Sequence, residues 1–346
     1  MGGVADGWGA AMITLMLAVL GAWFLSLFAG PAIYAAMGLA GFAFLALAGV
    51  AGIVIPQKVA MAANSFPLLA APLFILMGNL MNASGISYRI FDFAKAIVGW
   101  MRGGLAQANI VGSVIFAGMS GSAVADAAGL GTVEIEAMQR EGYDAETAAA
   151  VTAASATIGP IIPPSLPMIV YGVAAETSIG ALFLAGVIPG LLMAGALMLM
   201  VRHLAIRRNL PRHPFEGGRV LWTAFRRAFW ALMAPVVLFG GLFSGIFTPT
   251  EAAAVAVVYA LVLGVFVYRE FRIADLPKVI LDTVETTGVV MALVMTASLL
   301  GYCISVSRLP QEFGGWLTGL TQRPLVSLLF VHVLLLVVGC FLEALA

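Results

Sequence analysis

The sequence predicts an all-α polytopic membrane protein, built from inverted repeats that contain re-entrant helical hairpins and a broken helix. The first observation is composition: of 346 residues, 62% are hydrophobic and 10% are charged. Soluble domains have roughly 45–50% apolar and about 25% charged residues, so most of this chain is expected to lie in lipid. The second observation is that two apolar runs are interrupted, at 120–122 and at 159–165, by residues that do not favour a continuous helix.

Apolar runs of about 20 residues, the length that crosses a bilayer, predict the membrane spans. These runs lie near 9–28, 31–52, 66–83, 145–175, 181–201, 228–246, 251–268 and 284–304. The first run is expected to remain as a span, because the residues before it lack the basic region of a cleaved signal.

Shorter segments predict elements that do not cross the membrane. Two short apolar pieces flank a Ser-Gly-Ser sequence and predict a re-entrant hairpin over 104–138. The piece 324–339 is also short, and it predicts an arm of a second hairpin. Two amphipathic segments, 86–101 and 308–320, each contain a tryptophan at or near the end, as interfacial helices do.

The basic residues predict the orientation, since cytoplasmic loops carry an excess of Lys and Arg. In the predicted topology, the N-terminus is outside, and the hairpin enters and leaves the membrane on the same side. Of the 17 basic residues, all but Lys58, Arg308 and Arg323 then fall inside.

Two similar halves, 1–201 and 228–346, are separated by a basic linker at 202–227. The predicted topology puts the two halves in opposite orientations, so the repeats are inverted, as in many secondary transporters. The matching positions are Pro31 with Pro249, Trp100 with Trp316, and Asp126 with Glu343.

The second half is shorter than the first. After its hairpin tip, the first half continues through a returning helix and a proline-rich helix to about residue 201, whereas only Ala344, Leu345 and Ala346 follow Glu343. By the internal repeat, roughly 75–85 residues are expected to be missing, either from a fragment or from a truncated gene product.

The predicted hairpin tip, Ser120-Gly121-Ser122, is rich in small oxygen donors. At such a tip, the last carbonyls of one half-helix and the first N–H groups of the next lack helical partners. Carbonyl and hydroxyl oxygens suit a hard cation such as Na⁺, whereas the positive end of a helix dipole suits a carboxylate. The alternative is that these small residues serve close helix packing.

The second interruption, Gly159-Pro160-Ile161-Ile162-Pro163-Pro164-Ser165, is the stronger signal. Its three prolines remove three N–H donors within a short stretch, which frees carbonyls that can point at an ion. One proline would give a simple kink, so three prolines and a glycine predict an unwound segment.

Asp126 follows the tip inside an apolar segment, and an intramembrane carboxylate is a functional candidate. The alternative is a first-turn acid that the helix dipole stabilises. The net charge of zero offers no basic face for nucleic acid. The two cysteines lack metal-ligand spacing, so no metal other than Na⁺ is expected.

An enzyme is the remote alternative. Gly118-Met119-Ser120-Gly121 matches the Gly-x-Ser-Gly string of intramembrane serine proteases, and His332 lies in an apolar run. The string is common in helices rich in Gly and Ser, and His332 is predicted to lie in a different hairpin arm. We therefore expect no enzyme.

Seven short motifs, spread from about residue 30 to the end, carry a family resemblance when taken together. Through them the chain resembles the large permease subunit of the tripartite ATP-independent periplasmic (TRAP) transporters, of the C4-dicarboxylate type. The motifs are 72–78, 103–106, 120–123, Met138 with Gly142-Tyr143, 158–165, 185–190 and 248–252.

The resemblance implies an elevator-type ion-transporter fold and Na⁺-driven import of a small organic anion across the bacterial inner membrane, with a periplasmic N-terminus. A periplasmic substrate-binding protein would deliver the carboxylate, and a small four-helix membrane subunit would pair with this one. No cofactor is implied, with Na⁺ as the coupling ion. A Na⁺-coupled carboxylate symporter or exporter without a binding protein, or a channel, remains the alternative.

Carried over to this sequence, the resemblance implies a first Na⁺ site formed by Ser120, Ser122, Gly159, Ile162 and Pro164. The candidates for substrate binding, at the half-helix ends and the intramembrane carboxyl, are Gly121, Asp126, Pro163 and Ser165. The tip of the second site would hold Gly339 and Glu343. Which organic acid is carried does not follow from the sequence.

Overall fold

A computed structural model describes residues 2–212, 214–320 and 323–340, and within these ranges every regular element is helical. The helices are α1 Gly2–Leu27, α2 Ile33–Leu47, α3 Val54–Ala63, α4 Ala70–Ala83, α5 Ile86–Val98, α6 Gly104–Ser120, α7 Ala123–Arg140, α8 Ala145–Ala156, α9 Leu166–Ala174, α10 Ile179–Arg207, α11 Gly218–Phe243, α12 Pro249–Val262, α13 Leu276–Val306, α14 Leu309–Leu320 and α15 Pro324–Gly339.

The prediction of an all-α polytopic membrane protein is confirmed. Within the described residues, six helical segments are long and apolar enough to cross a bilayer. A 3₁₀ turn, Phe66–Leu69, leads into α4, and a π-helical turn, Leu263–Val267, extends α12. The six segments are Gly9–Leu27, Phe66–Ala83, Ile179–Arg207, Gly218–Phe243, Pro249–Val267 and Ile273–Val306.

Several predicted boundaries differ from the observed ones. The span predicted at 31–52 is the shorter α2, followed by the unpredicted helix α3, which has no buried residue. The linker predicted at 202–227 is largely helical, since α10 continues to Arg207 and α11 begins at Gly218. The end of α10 is held by packing, because Val201 and Ala205 are buried.

The chain forms two compact units, one comprising Met1–Ser65 and Gly288–Ala346 and the other comprising Phe66–Thr287. This division follows spatial contacts rather than the two sequence halves, and the repeat boundaries stay a prediction. In the first unit, α1 packs on α2, and Met16 and Phe44 are fully buried in the core.

The second unit contains both interruptions found in the sequence. Helix α4 packs on α12, and α5 packs on α6 and α11. Helices α6 and α7 form the predicted hairpin, while α8 and α9 are the two parts of the predicted broken helix. The candidate site therefore lies within one compact unit.

Candidate functional site

The hairpin turns at Gly121 and Ser122. Helix α6 ends because Gly121 adopts a left-handed conformation, with φ of 62°, which glycine tolerates without strain. Helix α7 then begins after Ser122, whose backbone is extended and whose hydroxyl accepts a hydrogen bond from the N–H of Ala125 at 3.4 Å. The serine is thus an N-cap of α7.

The broken helix is open between α8 and α9, over residues 157–165. Within the break, the N–H of Ile162 still donates to the carbonyl of Ile158 at 2.9 Å. The buried Ser165 caps α9: its hydroxyl accepts from the N–H of Met168 at 3.2 Å and donates to the carbonyl of Pro160. The unwound segment that the prolines predict is therefore present, with defined hydrogen bonds.

The hairpin tip and the break are in backbone contact. The N–H of Leu166 donates to the carbonyl of Gly121 at 3.3 Å. A Cβ atom on Gly121 would lie 2.0 Å from the carbonyl oxygen of Pro164, and one on Gly159 would lie 3.1 Å from the carbonyl carbon of Ser122. The approach requires a glycine at 121 and leaves little room for a side chain at 159, and it brings the two predicted groups of residues together.

Four helix ends meet at this junction. Helices α6 and α8 end there, and α7 and α9 begin there. Some of the end groups are already bonded: the carbonyl of Ala156 accepts from the N–H of Gly159 at 3.0 Å, and the hydroxyls of Ser122 and Ser165 cap the two starts. Carbonyl ends carry partial negative charge and attract cations, whereas N–H ends attract carboxylates. One junction therefore offers partners for both a cation and an organic anion.

A cavity of about 290 Å³ lies beside the tip. Its lining combines the predicted serines with polar residues of two other helices, α4 and α13. The lining residues are Ile75, Gly78, Asn79, Asn82, Ser120, Ser122, Val124, Ala125, Ala128, Gly129 and Thr286.

Asn79, Asn82 and Thr286 were missed from the sequence. The amide of Asn79 donates to the hydroxyl of Thr283 at 3.0 Å, and the amide oxygen of Asn82 accepts from Ser87 at 2.7 Å. The available signal was two asparagines three residues apart in an apolar span, where polar side chains are costly unless they have partners.

Buried oxygens without hydrogen-bond partners surround the tip. The hydroxyl of Ser120, which is 1% exposed, has no partner among the described residues. The same holds for both carboxyl oxygens of Asp126, which faces Ser113 of α6 without a hydrogen bond of normal geometry. Asp126 does not line the cavity, so its direct contact with a substrate stays a prediction.

The remaining predicted positions are the side chain of Ile162 and the second hairpin tip. The side chain of Ile162, within the break, lies against α10, where a Cβ on Gly190 would be 2.4 Å from its Cγ1. Gly339 is the last residue of α15, and Glu343 lies outside the described residues. The second tip therefore stays a prediction.

Residues 20–346 match the family described as tripartite ATP-independent periplasmic transporter, DctM component. The chain belongs to this family. TRAP large permeases are transporter subunits and not enzymes, so the protein is not an enzyme and the protease alternative is excluded. The family resemblance found in the sequence is confirmed.

Curated relatives agree with this assignment. The sialic acid TRAP transporter large permease protein SiaM of Vibrio cholerae is 44% identical over 325 residues, which cover 94% of this chain and 76% of that protein. The C4-dicarboxylate TRAP transporter large permease protein DctM of Pseudomonas aeruginosa is 41% identical over 278 residues, or 80% of this chain and 65% of that protein.

The sialic acid TRAP transporter permease protein SiaT of Haemophilus influenzae is 44% identical over 290 residues, which are 84% of this chain. The match spans about half of that relative, 47% of its length. The named substrates of these relatives differ, although the TRAP permease family is the same.

Proposed function

We propose that this TRAP large permease subunit couples the entry of Na⁺ to the import of a small organic anion across the bacterial inner membrane. The observation that carries the proposal is the junction of four helix ends between the hairpin tip and the unwound segment. Such a junction, at a break in paired helices, is the arrangement in which secondary transporters place ion and substrate.

The ion is proposed to bind backbone carbonyls at the junction, contributed by Ser120, Ser122, Gly159, Ile162 and Pro164. Oxygen ligands suit a hard cation. The break supplies the carbonyl of Gly159 because Pro163 has no N–H with which to bond it, whereas the carbonyl of Pro160, left by Pro164, accepts from the Ser165 hydroxyl. The unpaired Ser120 hydroxyl adds a buried oxygen at the same place.

The substrate is proposed to occupy the cavity beside the tip, with its carboxylate toward the start of α7. Asn79 and Asn82 of the lining then face the rest of the molecule. Gly121, Pro163 and Ser165 do not line the cavity and are proposed to shape the backbone beside the carboxylate. A volume of about 290 Å³ accommodates a small organic acid. Because relatives are named for sialic acid and for C4-dicarboxylates, the class proposed is a small carboxylate rather than a dicarboxylate.

The proposed assembly includes a small four-helix membrane subunit and a periplasmic substrate-binding protein. The N-terminus is placed in the periplasm by the excess of basic residues on the other side. Transport is proposed to use an elevator motion of the part that contains the hairpin and the broken helix.

Uptake by the full-length transporter, with both membrane subunits in proteoliposomes, tests the function. Radiolabelled sialic acid and succinate serve as probes, each with its cognate binding protein. We expect uptake of one probe only with an inward Na⁺ gradient and the liganded binding protein, and none with an equal K⁺ gradient. Uptake without Na⁺ would contradict the coupling, and equal uptake without the binding protein would favour the simple symporter.

A further inference from the structure

A basic cleft lies on the second unit, between α5, the first turns of α11 and the segment that follows α12. We define it by Arg89 and Lys95 of α5 and by Arg219, Arg226 and Arg227 of α11. It consists of two adjoining depressions of about 520 and 460 Å³, which share Arg89, Asp92 and Arg227 in their lining. It is separate from the cavity at the hairpin tip.

Specific side-chain contacts hold the residues that line the cleft in position. The guanidinium of Arg89 lies 4.1 Å from the centre of the Tyr268 ring and donates to Glu270 at 2.6 Å. The hydroxyl of Tyr268 accepts from the N–H of Ala231 at 3.1 Å and donates to the carbonyl of Arg227 at 3.2 Å. The cleft is therefore pre-organised, because its side chains are held by contacts with one another.

The charges of the cleft do not cancel. Arg89 is paired with Glu270, and Lys95 is paired with Glu141 at 2.9 Å. In the part of the chain that the structure describes, Arg219, Arg226 and Arg227 form no salt bridge. Asp92 and Glu216 also line the cleft, which leaves an excess of positive charge suited to an anion. Arginine binds carboxylate and phosphate oxygens in a bidentate manner, so the cleft suits an oxyanion of either kind.

Exposed aromatic residues of α11 indicate that this cleft lies near lipid headgroups. Trp222 and Trp230 of α11 are 64% and 50% exposed, and between them Phe225 and Phe229 stack edge to face. Exposed tryptophans mark the membrane–water interface. Helix α11 also passes here from a polar connection into a segment apolar enough to span the bilayer.

We propose that the basic cleft binds the headgroup phosphate of an anionic phospholipid, on the side of the membrane where the basic residues concentrate. Arg226 and Arg227 contact the phosphate, and the acyl chains run along the exposed aromatic face of α11. A soluble phosphate compound shares the phosphate chemistry but lacks the chains. Basic pockets between membrane helices are known to select anionic headgroups in this way.

The test measures the lipid that the full-length complex retains in nanodiscs of phosphatidylcholine containing a minor fraction of phosphatidylglycerol. The variant is Arg226→Gln/Arg227→Gln, and its matched control is Arg202→Gln/Arg207→Gln, which removes the same charge from the end of α10. Loss of two cationic contacts should lower the apparent affinity for phosphatidylglycerol roughly 30-fold, with little change in the control. Arg226→Lys/Arg227→Lys keeps the charge and should retain most of the binding.

Four results would overturn the proposal. The first two are that the Gln variant retains as much phosphatidylglycerol as the native protein, or that the α10 control loses as much of it as the Gln variant. The third is that the native protein retains phosphatidylcholine and phosphatidylglycerol equally. The fourth is that millimolar inorganic phosphate displaces the lipid. The last would identify a site for soluble phosphate compounds. If the Gln variant does not assemble, two other measurements test the proposal. They are the phosphatidylglycerol retained by the Lys variant, and the preference of the native protein for phosphatidylglycerol over phosphatidylcholine.

Discussion

Gly121 combines two constraints that no other residue type meets at once. Its φ of 62° is a conformation that side-chain-bearing residues rarely adopt, and its Cα lies against the backbone of the unwound segment. A Cβ would lie 2.0 Å from the carbonyl oxygen of Pro164. This oxygen belongs to the backbone, which cannot move aside as the end of a flexible side chain can. The close approach of the tip to the break thus depends on the absence of a Cβ atom at position 121.

Gly121→Ala is expected to weaken Na⁺ binding and to lower thermal stability. The strain of the left-handed conformation alone is about 1–2 kcal/mol, and separation of the tip from Pro164 adds to it. The control is Gly245→Ala, because Gly245 has a similar φ of 73° but open space around a Cβ. The measurement is Na⁺-dependent thermal stabilisation of the purified complex, and an equal effect of both substitutions would contradict a special role for the junction.

Among helices, α8 shows how one side chain fixes the start of an element. The carboxylate of Asp144 accepts hydrogen bonds from the N–H and the hydroxyl of Thr147, both at 2.8 Å. Arg208, which follows α10, donates to the same hydroxyl at 2.6 Å. This capping group therefore links the first half of the broken helix to α10.

Asp144→Ala should lower the melting temperature of the complex, whereas Asp144→Asn should lower it less because an amide oxygen still caps the helix. Hydrogen bonds from the backbone and side chain of Thr147 hold the pKa of Asp144 below its ordinary value. The stabilisation is therefore full above the ordinary pKa of an aspartate and is lost as pH falls through the lowered pKa.

The neighbouring Glu146→Ala, at an exposed position of the same turn, is the control and should have little effect. Melting curves collected at neutral and at acidic pH separate the variants. A pH dependence that is unchanged in Asp144→Asn would contradict the assignment of the titrating group.

The positions of the broken elements could be predicted from the sequence because local chemistry decides them. Gly121 sets the tip and the cluster of prolines sets the break, so the interruptions predicted at 120–122 and 159–165 follow from residue type. A single proline does not suffice, because Pro189 and Pro235 lie inside α10 and α11. Asn79 and Thr286 could not be placed at the cavity in this way. Their helices reach it through tertiary packing between segments about 200 residues apart, as the hydrogen bond from Asn79 to Thr283 illustrates.

At the scale of the whole molecule, the predicted topology assigns each connection to one side of the membrane. The basic residues predict that the connection between α10 and α11 is inside and that α3 is outside. Both Glu216, in that connection, and Gln57, in α3, are exposed.

We expect a cysteine at position 216 to react with a membrane-impermeant maleimide from the cytoplasmic side only, and a cysteine at position 57 from the periplasmic side only. The background should carry substitutions of Cys303 and Cys340, which are both free thiols. Labelling of both positions from the same side would refute the predicted topology and, with it, the inverted relation of the two halves.

The contact between tip and break is made by main-chain atoms, whereas the cavity beside it is lined by side chains. An ion held by carbonyl groups is insensitive to most substitutions, as long as the glycines and prolines that shape the backbone persist. The asparagines and the threonine of the cavity wall meet the cavity with their side chains, so a substitution there alters the lining directly. Under the proposed function, a family built in this way would acquire new cargo by point mutation while keeping its coupling ion, and the relatives named for sialic acid and for C4-dicarboxylates differ in cargo as this predicts.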